Sequence, residues 1–324
     1  MTPKPDEEYT EEEFLHFSTE QLCQLISNDS IPVSQRMRML WYLRMLPDKQ
    51  KAITVLSSGL TSQSVLLKHE LAYVMGQIKD ERAIPILNKV LEDVEEDAMV
   101  RHEAGEALGA IAAPESLPIL RAFLNDPVRE VRETCELAIE NIEHAMRKKA
   151  VLATENKENV GEEDYDKQVR ELFNSVDPAP PTKKYKERTV AELRQIYLDW
   201  DQSLFKRYKA MFALRNKSCT GPYEQQKEAL MALCDGFRDG EGALFLHEVA
   251  FVMGQLQRKE TAEALEKVLR DKSLHAMVRH EAAEALGSIC DPKSLEVLKE
   301  FQDDHDAPVR DSCLVAVDMH NYWS

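Results

Sequence analysis

Four His-Glu dipeptides occur in this chain of 324 residues, at His69-Glu70, His102-Glu103, His247-Glu248 and His280-Glu281. The members of each pair lie 33 residues apart, and the second pair repeats the first after a shift of 178. With only nine histidines in the whole chain, chance does not produce that register. An internal duplication has kept four imidazoles and four carboxylates at equivalent places, which is the natural donor content of two metal ions. Two His and one carboxylate per ion is the ligand set of non-haem Fe(II) oxygenases, with positions left open for oxygen and substrate. The same donors would accept manganese, cobalt or zinc, so the ligands alone leave the metal open.

The residues around the dipeptides say what positions them. Each dipeptide sits early in a segment with apolar residues at helical spacing, over residues 67–78, 99–111, 244–256 and 277–289. Residues 69–142 align with 247–320 without a gap, and Arg36 to Arg44 echoes Arg207 to Arg215 at a shift of 171. Within each half the pattern recurs every 31 to 35 residues with no strand signal, the mark of stacked helical hairpins. The expected fold is therefore all-α, a HEAT-like α-solenoid of eight helical hairpins in two pseudo-symmetric halves of four. An acidic extension is expected over residues 1–16, one half over 17–146, a partly flexible linker over 147–188 and the other half over 189–324. Residues 148–166 are charged and short of large apolar side chains, and Asp177-Pro-Ala-Pro-Pro181 cannot continue a helix. A linker of this length lets the halves face one another. A 33-residue step is one hairpin, so His69 and His102 fall on adjacent helices, about 8–10 Å apart when packed.

Glu106 and Glu284 follow His102 and His280 by four residues, on the same helix face, where they could orient the imidazoles or remain solvated charge. Gly76, Gly109, Gly254 and Gly287 follow the four histidines by seven, which points to close helix packing more than to clearance for a substrate. Met99 and Met277 read as core.

Composition narrows the partners. A net charge of -17 disfavours nucleic acid and favours a cationic partner. Six scattered cysteines without a Cys-x-x-Cys read as reduced thiols of a cytoplasmic or nuclear protein, and no apolar run is long enough for a membrane span. No dinucleotide fingerprint, P-loop, nucleophile elbow or His-Glu-x-x-His is present, so reducing equivalents must come from an external reductant. A different class fits the same features, a scaffold that binds a basic segment on its concave face with metal only structural.

Leu67-Lys-His-Glu-Leu-Ala-Tyr73, Met75-Gly-Gln77, Arg207 to Asn216, Val252-Met-Gly-Gln-Leu256, both Val-Arg-His-Glu motifs and Ser175-Val-Asp-Pro-Ala-Pro-Pro181 closely resemble the deoxyhypusine hydroxylases, from about Arg36 to His320. The resemblance implies a cytoplasmic di-iron monooxygenase that uses O2 to hydroxylate the deoxyhypusine side chain of translation initiation factor 5A, a basic protein, forming hypusine. It implies iron ligands His69, His102 and Glu103 in one half and His247, His280 and Glu281 in the other. Glu70 and Glu248 are implied to hold the substrate amine. A monomer is expected.

Overall fold

The computed structural model describes residues 14, 16–154, 172–173 and 175–323, and the described residues contain helices and no strand. The expected extension therefore lies outside the described residues except for Phe14 and His16, as does the charged linker stretch from 155 to 171. The hairpins of the first half are α1 (Thr19–Ile26) with α2 (Val33–Met45), α3 (Lys49–Gly59) with α4 (Val65–Ile78), α5 (Ile84–Glu92) with α6 (Ala98–Ile111), and α7 (Leu117–Ala122) with α8 (Arg129–Thr154). After a short α9 (Lys183–Lys186) come α10 (Val190–Leu198) with α11 (Leu204–Cys219), and α12 (Tyr223–Cys234) with α13 (Ala243–Leu256). The last two hairpins are α14 (Ala262–Arg270) with α15 (Ala276–Ile289) and α16 (Pro292–Glu300) with α17 (Ala307–Trp323). Eight hairpins, four per half, are what the repeat predicts. No helix among the described residues is long and apolar enough to cross a membrane, and the six cysteines are unpaired.

The second helices of the hairpins stand side by side, and their order closes on itself. In sequence α2 packs on α4, α4 on α6, α6 on α8, α8 on α11 and α13, then α11 on α13, α13 on α15, α15 on α17, and α17 back on α2 and α4. The solenoid is thus an inner ring of eight helices, with the first helices of the hairpins outside it. One joint of the ring is held by the Ser64 hydroxyl donating to Asp311 at 2.9 Å and by Arg38 against Asp318 at 3.4 Å. A small apolar cluster of Leu66, Met99 and Val315 packs beneath them. Met99 and Met277 are buried as expected.

The four helices that carry His-Glu stop alike, and three of them start on a side-chain cap, α13 starting instead on Gly242 without one. Ser64 and Asp97 cap α4 and α6 by accepting from Leu67 and Met99 backbone amides, and His275 takes the Asp97 place on α15 through Nδ1. All four end on a left-handed residue that is not glycine: Lys79, Ala112, Gln257 and Cys290, with φ between 50 and 58°. Side-chain-bearing residues adopt that conformation at a cost of about 1–2 kcal/mol, and here it recurs at each equivalent turn.

The glycines are packing residues. A Cβ on Gly76 would stand 2.7 Å from the Ala107 Cα, one on Gly109 2.9 Å from the Ala138 Cα, and one on Gly287 2.6 Å from the Ala316 Cβ. Gly254 faces Ala285 with slightly more room, at 3.1 Å. Helix backbones that approach this closely bring neighbouring histidines within reach of one ion. Gly76→Ala should therefore cost about 1–3 kcal/mol from overpacking, outweighing its gain in helix propensity, while Gly254→Ala should cost less. Denaturant midpoints of the two variants measure the difference.

α8 runs to Thr154, seven residues past the expected start of the linker at 147, because residues 147–154 contain neither Pro nor Gly to stop it. The proline-rich end of the linker is strapped across the ring. The Val176 amide donates to Gln77 Oε1 at 2.9 Å, Gln255 donates to Ser175 Oγ at 2.7 Å, and Asp177 makes two bonds of 2.7 and 2.8 Å to the fully buried Arg215. Gln77 and Gln255 are duplication equivalents, so one segment is gripped by the same residue of both halves.

Candidate metal centre

The ring brings all four imidazoles to its middle. Ring centroids of His69 and His102 lie 5.3 Å apart, tilted by 42°, and those of His247 and His280 lie 5.4 Å apart, tilted by 38°. Across the halves His69 meets His280 at 5.2 Å and His102 meets His247 at 5.4 Å, both edge-on. These paired values are a two-fold relation between the halves, and His69 and His247 meet across its axis at 5.9 Å. The carboxylates follow the same symmetry: Glu103 lies 3.3 Å from His69 Nε2 and Glu281 lies 3.3 Å from His247 Nε2. His247, His280 and Glu281 offer ligand atoms within 4.8 Å of one another, as do His69, His102 and His247, and His102, Glu103 and Glu106.

The donors fit a metal. Seven of the eight imidazole nitrogens are buried without a hydrogen-bond partner, a costly state for polar atoms unless a cation uses their lone pairs. Burial, then the neighbouring imidazoles, keep His102 and His280 well below the ordinary histidine value, and burial and His69 bring His247 down to about 4. Neutral imidazole is the ligating form. At His69 burial opposes charge, but the carboxylates of Glu103 and Glu70 beside it hold its pKa well above the ordinary value. That proton is the one an arriving cation displaces.

The remaining carboxylates line a cavity of about 400 Å³ that reaches His69, Glu103, His247 and Glu281. Glu70 Oε1 bonds His69 Nδ1 at 2.9 Å, whereas Glu248 Oε1 is buried with no partner. Burial raises the pKa of both, and burial with Glu103 pushes Glu106 up to about 8. Glu284 stands 3.7 Å from His280 Nδ1, accepts the Ser312 hydroxyl at 3.0 Å and lines the cavity. Tyr73 and Phe251, again equivalents, pack edge-on at 6.0 Å on the axis above the histidines.

Sequence reading passed over the arginine of each Val-Arg-His-Glu motif. Arg101 and Arg279 are buried and donate to Asp126 and Asp304 at 2.6 Å and to the Leu91 and Leu269 carbonyls, anchoring the turns that carry His102 and His280. The signal was present as an Arg-Asp spacing of 25 residues kept in both halves.

Known proteins share the repeat and the fold. Residues 53–140 and 225–318 match the family of HEAT repeats. The deoxyhypusine hydroxylase of Xenopus laevis is 46% identical over 301 residues, covering 93% of this chain and 90% of the relative, and that of Drosophila pseudoobscura pseudoobscura is 41% identical over 298 residues, covering 92% and 90%. The chain belongs to the deoxyhypusine hydroxylase family. Membership makes it an enzyme of the monooxygenase class and sets aside the scaffold reading. The solved structure of human deoxyhypusine hydroxylase, in complex with glycerol, is 42% identical and superposes with a TM-score of 0.79 over 94% of this chain and 96% of that one. The fold that carries the four histidines here is thus the deoxyhypusine hydroxylase fold.

Proposed function

We propose that this chain acts in the cytoplasm on translation initiation factor 5A in its deoxyhypusine form, adding one oxygen atom from O2 to the deoxyhypusine side chain. The meeting of two equivalent His-His-Glu sets across the ring carries the reading, together with family membership. His69, His102 and Glu103 would hold one iron, and His247, His280 and Glu281 the other. Iron so held supplies oxygen activation at its open positions.

The protein's own residues do the rest. In the balanced reaction a C–H bond becomes C–OH, the second oxygen atom leaves as water, and an external reductant supplies two electrons with two protons from solvent. Glu70 and Glu248 would hold substrate ammonium beside the histidines through charge-assisted hydrogen bonds. The Tyr73 and Phe251 rings keep that part of the cavity apolar, which strengthens those contacts. The acidic surface, with a net charge of -17, attracts a basic protein and raises encounter rates.

Purified chain supplied with Fe(II), reductant, O2 and a deoxyhypusine peptide should give product heavier by one oxygen atom. Glu103→Gln or Glu281→Gln should lower iron content, whereas Glu70→Gln should keep iron and weaken peptide binding by about 1.5–3 kcal/mol. Iron retained in Glu103→Gln but lost in Glu70→Gln would reverse the two roles, and absence of product from iron-loaded wild type would sink the reading.

A further inference from the structure

Duplication leaves the same helix face covered in one half and bare in the other. At the shift of 171, Trp41, Arg44 and Met45 of α2 correspond to Phe212, Arg215 and Asn216 of α11. The three residues on α11 are buried, and the strap lies over them. The Arg215 guanidinium stands 4.0 Å from the Phe173 ring and 4.8 Å from the Phe212 ring, binds Asp177, and donates to Asn216. A passing segment of chain that carries an aromatic ring is thus what covers this face in the second half. On α2 the equivalent Trp41 and Met45 are 60% and 72% exposed.

Exposed apolar residues scattered singly are ordinary, but these two are neighbours. Four residues apart on a helix, they share one face. Trp41 also lines the cavity that reaches His69 and Glu103, and the exposed Leu172 lines it from the strap side. The apolar surface therefore continues from the cavity wall onto the outside of the molecule. In the proposed function only the modified side chain enters that cavity, so the backbone that carries it stays at the rim, where these residues stand.

We infer that Trp41 and Met45 form a docking surface for the carrier protein, on which a segment beside the deoxyhypusine lays an apolar side chain, as the strap lays Phe173 over the α11 face. The inference rests on the proposed function and adds to it a contact made to the carrier chain instead of to the amine.

Iron-loaded Trp41→Ser and Met45→Ser should each raise KM for factor 5A in its deoxyhypusine form by about tenfold, the loss of one buried contact side chain, and leave kcat near wild type, since binding lost equally from ground and transition states moves KM alone. Met231→Ser, at an exposed position on the outer helix α12, should change neither. Because the contact is with the carrier, factor 5A with unmodified lysine should inhibit wild type competitively and inhibit both variants about tenfold less well. Unchanged KM, or equal inhibition of wild type and variants, would overturn the inference. So would a loss of iron or a lower unfolding midpoint in the variants, which would show the face covered by the chain's own residues. A wild-type dimer that the variants split would overturn it too, by placing a second copy there. Iron-loaded wild type that does not hydroxylate the carrier would instead remove the proposed function beneath it.

Discussion

His102→Ala and His280→Ala should each strip metal and reduce hydroxylation by more than about 100-fold, since loss of even an outer partner of a ligand costs 10–100-fold. Wild type should carry about two ions per chain, two His and a carboxylate being one set. The effect should not stay within the mutated half. His102 stands 5.4 Å from His247 and His280 stands 5.2 Å from His69, so each set is walled by the other. Metal analysis and product mass measured on the same samples check both statements. Full turnover by an isolated half would refute joint dependence.

Arg279→Ala should destabilise the fold by about 3–5 kcal/mol, because it leaves the buried Asp304 carboxylate without its partner. Arg101→Ala should do the same to Asp126. The Arg279 hydrogen bonds hold Asp304 at about 2, below its ordinary 3.8. A carboxylate depressed on folding stabilises the protein above its unfolded pKa and loses that contribution as pH falls from about 4 toward 2. Wild-type stability should therefore drop through that window, and Arg279→Ala should show a shallower drop from a lower start. Urea unfolding at stepped pH measures both. A variant as stable as wild type at neutral pH would show that the pair is not holding the turn before His280.

The register of the four dipeptides made much of the site legible, since equal spacing in a hairpin repeat places side chains on equivalent helices. Helix limits came within two residues for the same reason, the apolar positions of α4, α6, α13 and α15 being regular. Equivalence, however, does not give distance. Packing of α17 on α2 joins residues more than 250 positions apart and leaves no local pattern. The burial of Arg215 was hidden because the strap that covers it belongs to neither repeat. The Ser312 hydroxyl that donates to Glu284 was hidden because it lies on the next hairpin.

Closure of the inner helices around a two-fold axis has a consequence for how such a molecule could arise. Two copies of a half-length chain would meet in the same way, each last helix against the other copy's first, as an isologous dimer with the metal donors at its centre. In that ancestor the two sides would be identical, and assembly would depend on concentration. Joining the copies makes closure intramolecular, at an effective concentration set by the connecting segment. It also releases the two sides from identity, so that the joining segment could bind Arg215 of one half alone. Severed halves of the present chain, mixed in solution, should recover metal binding only as their concentration is raised.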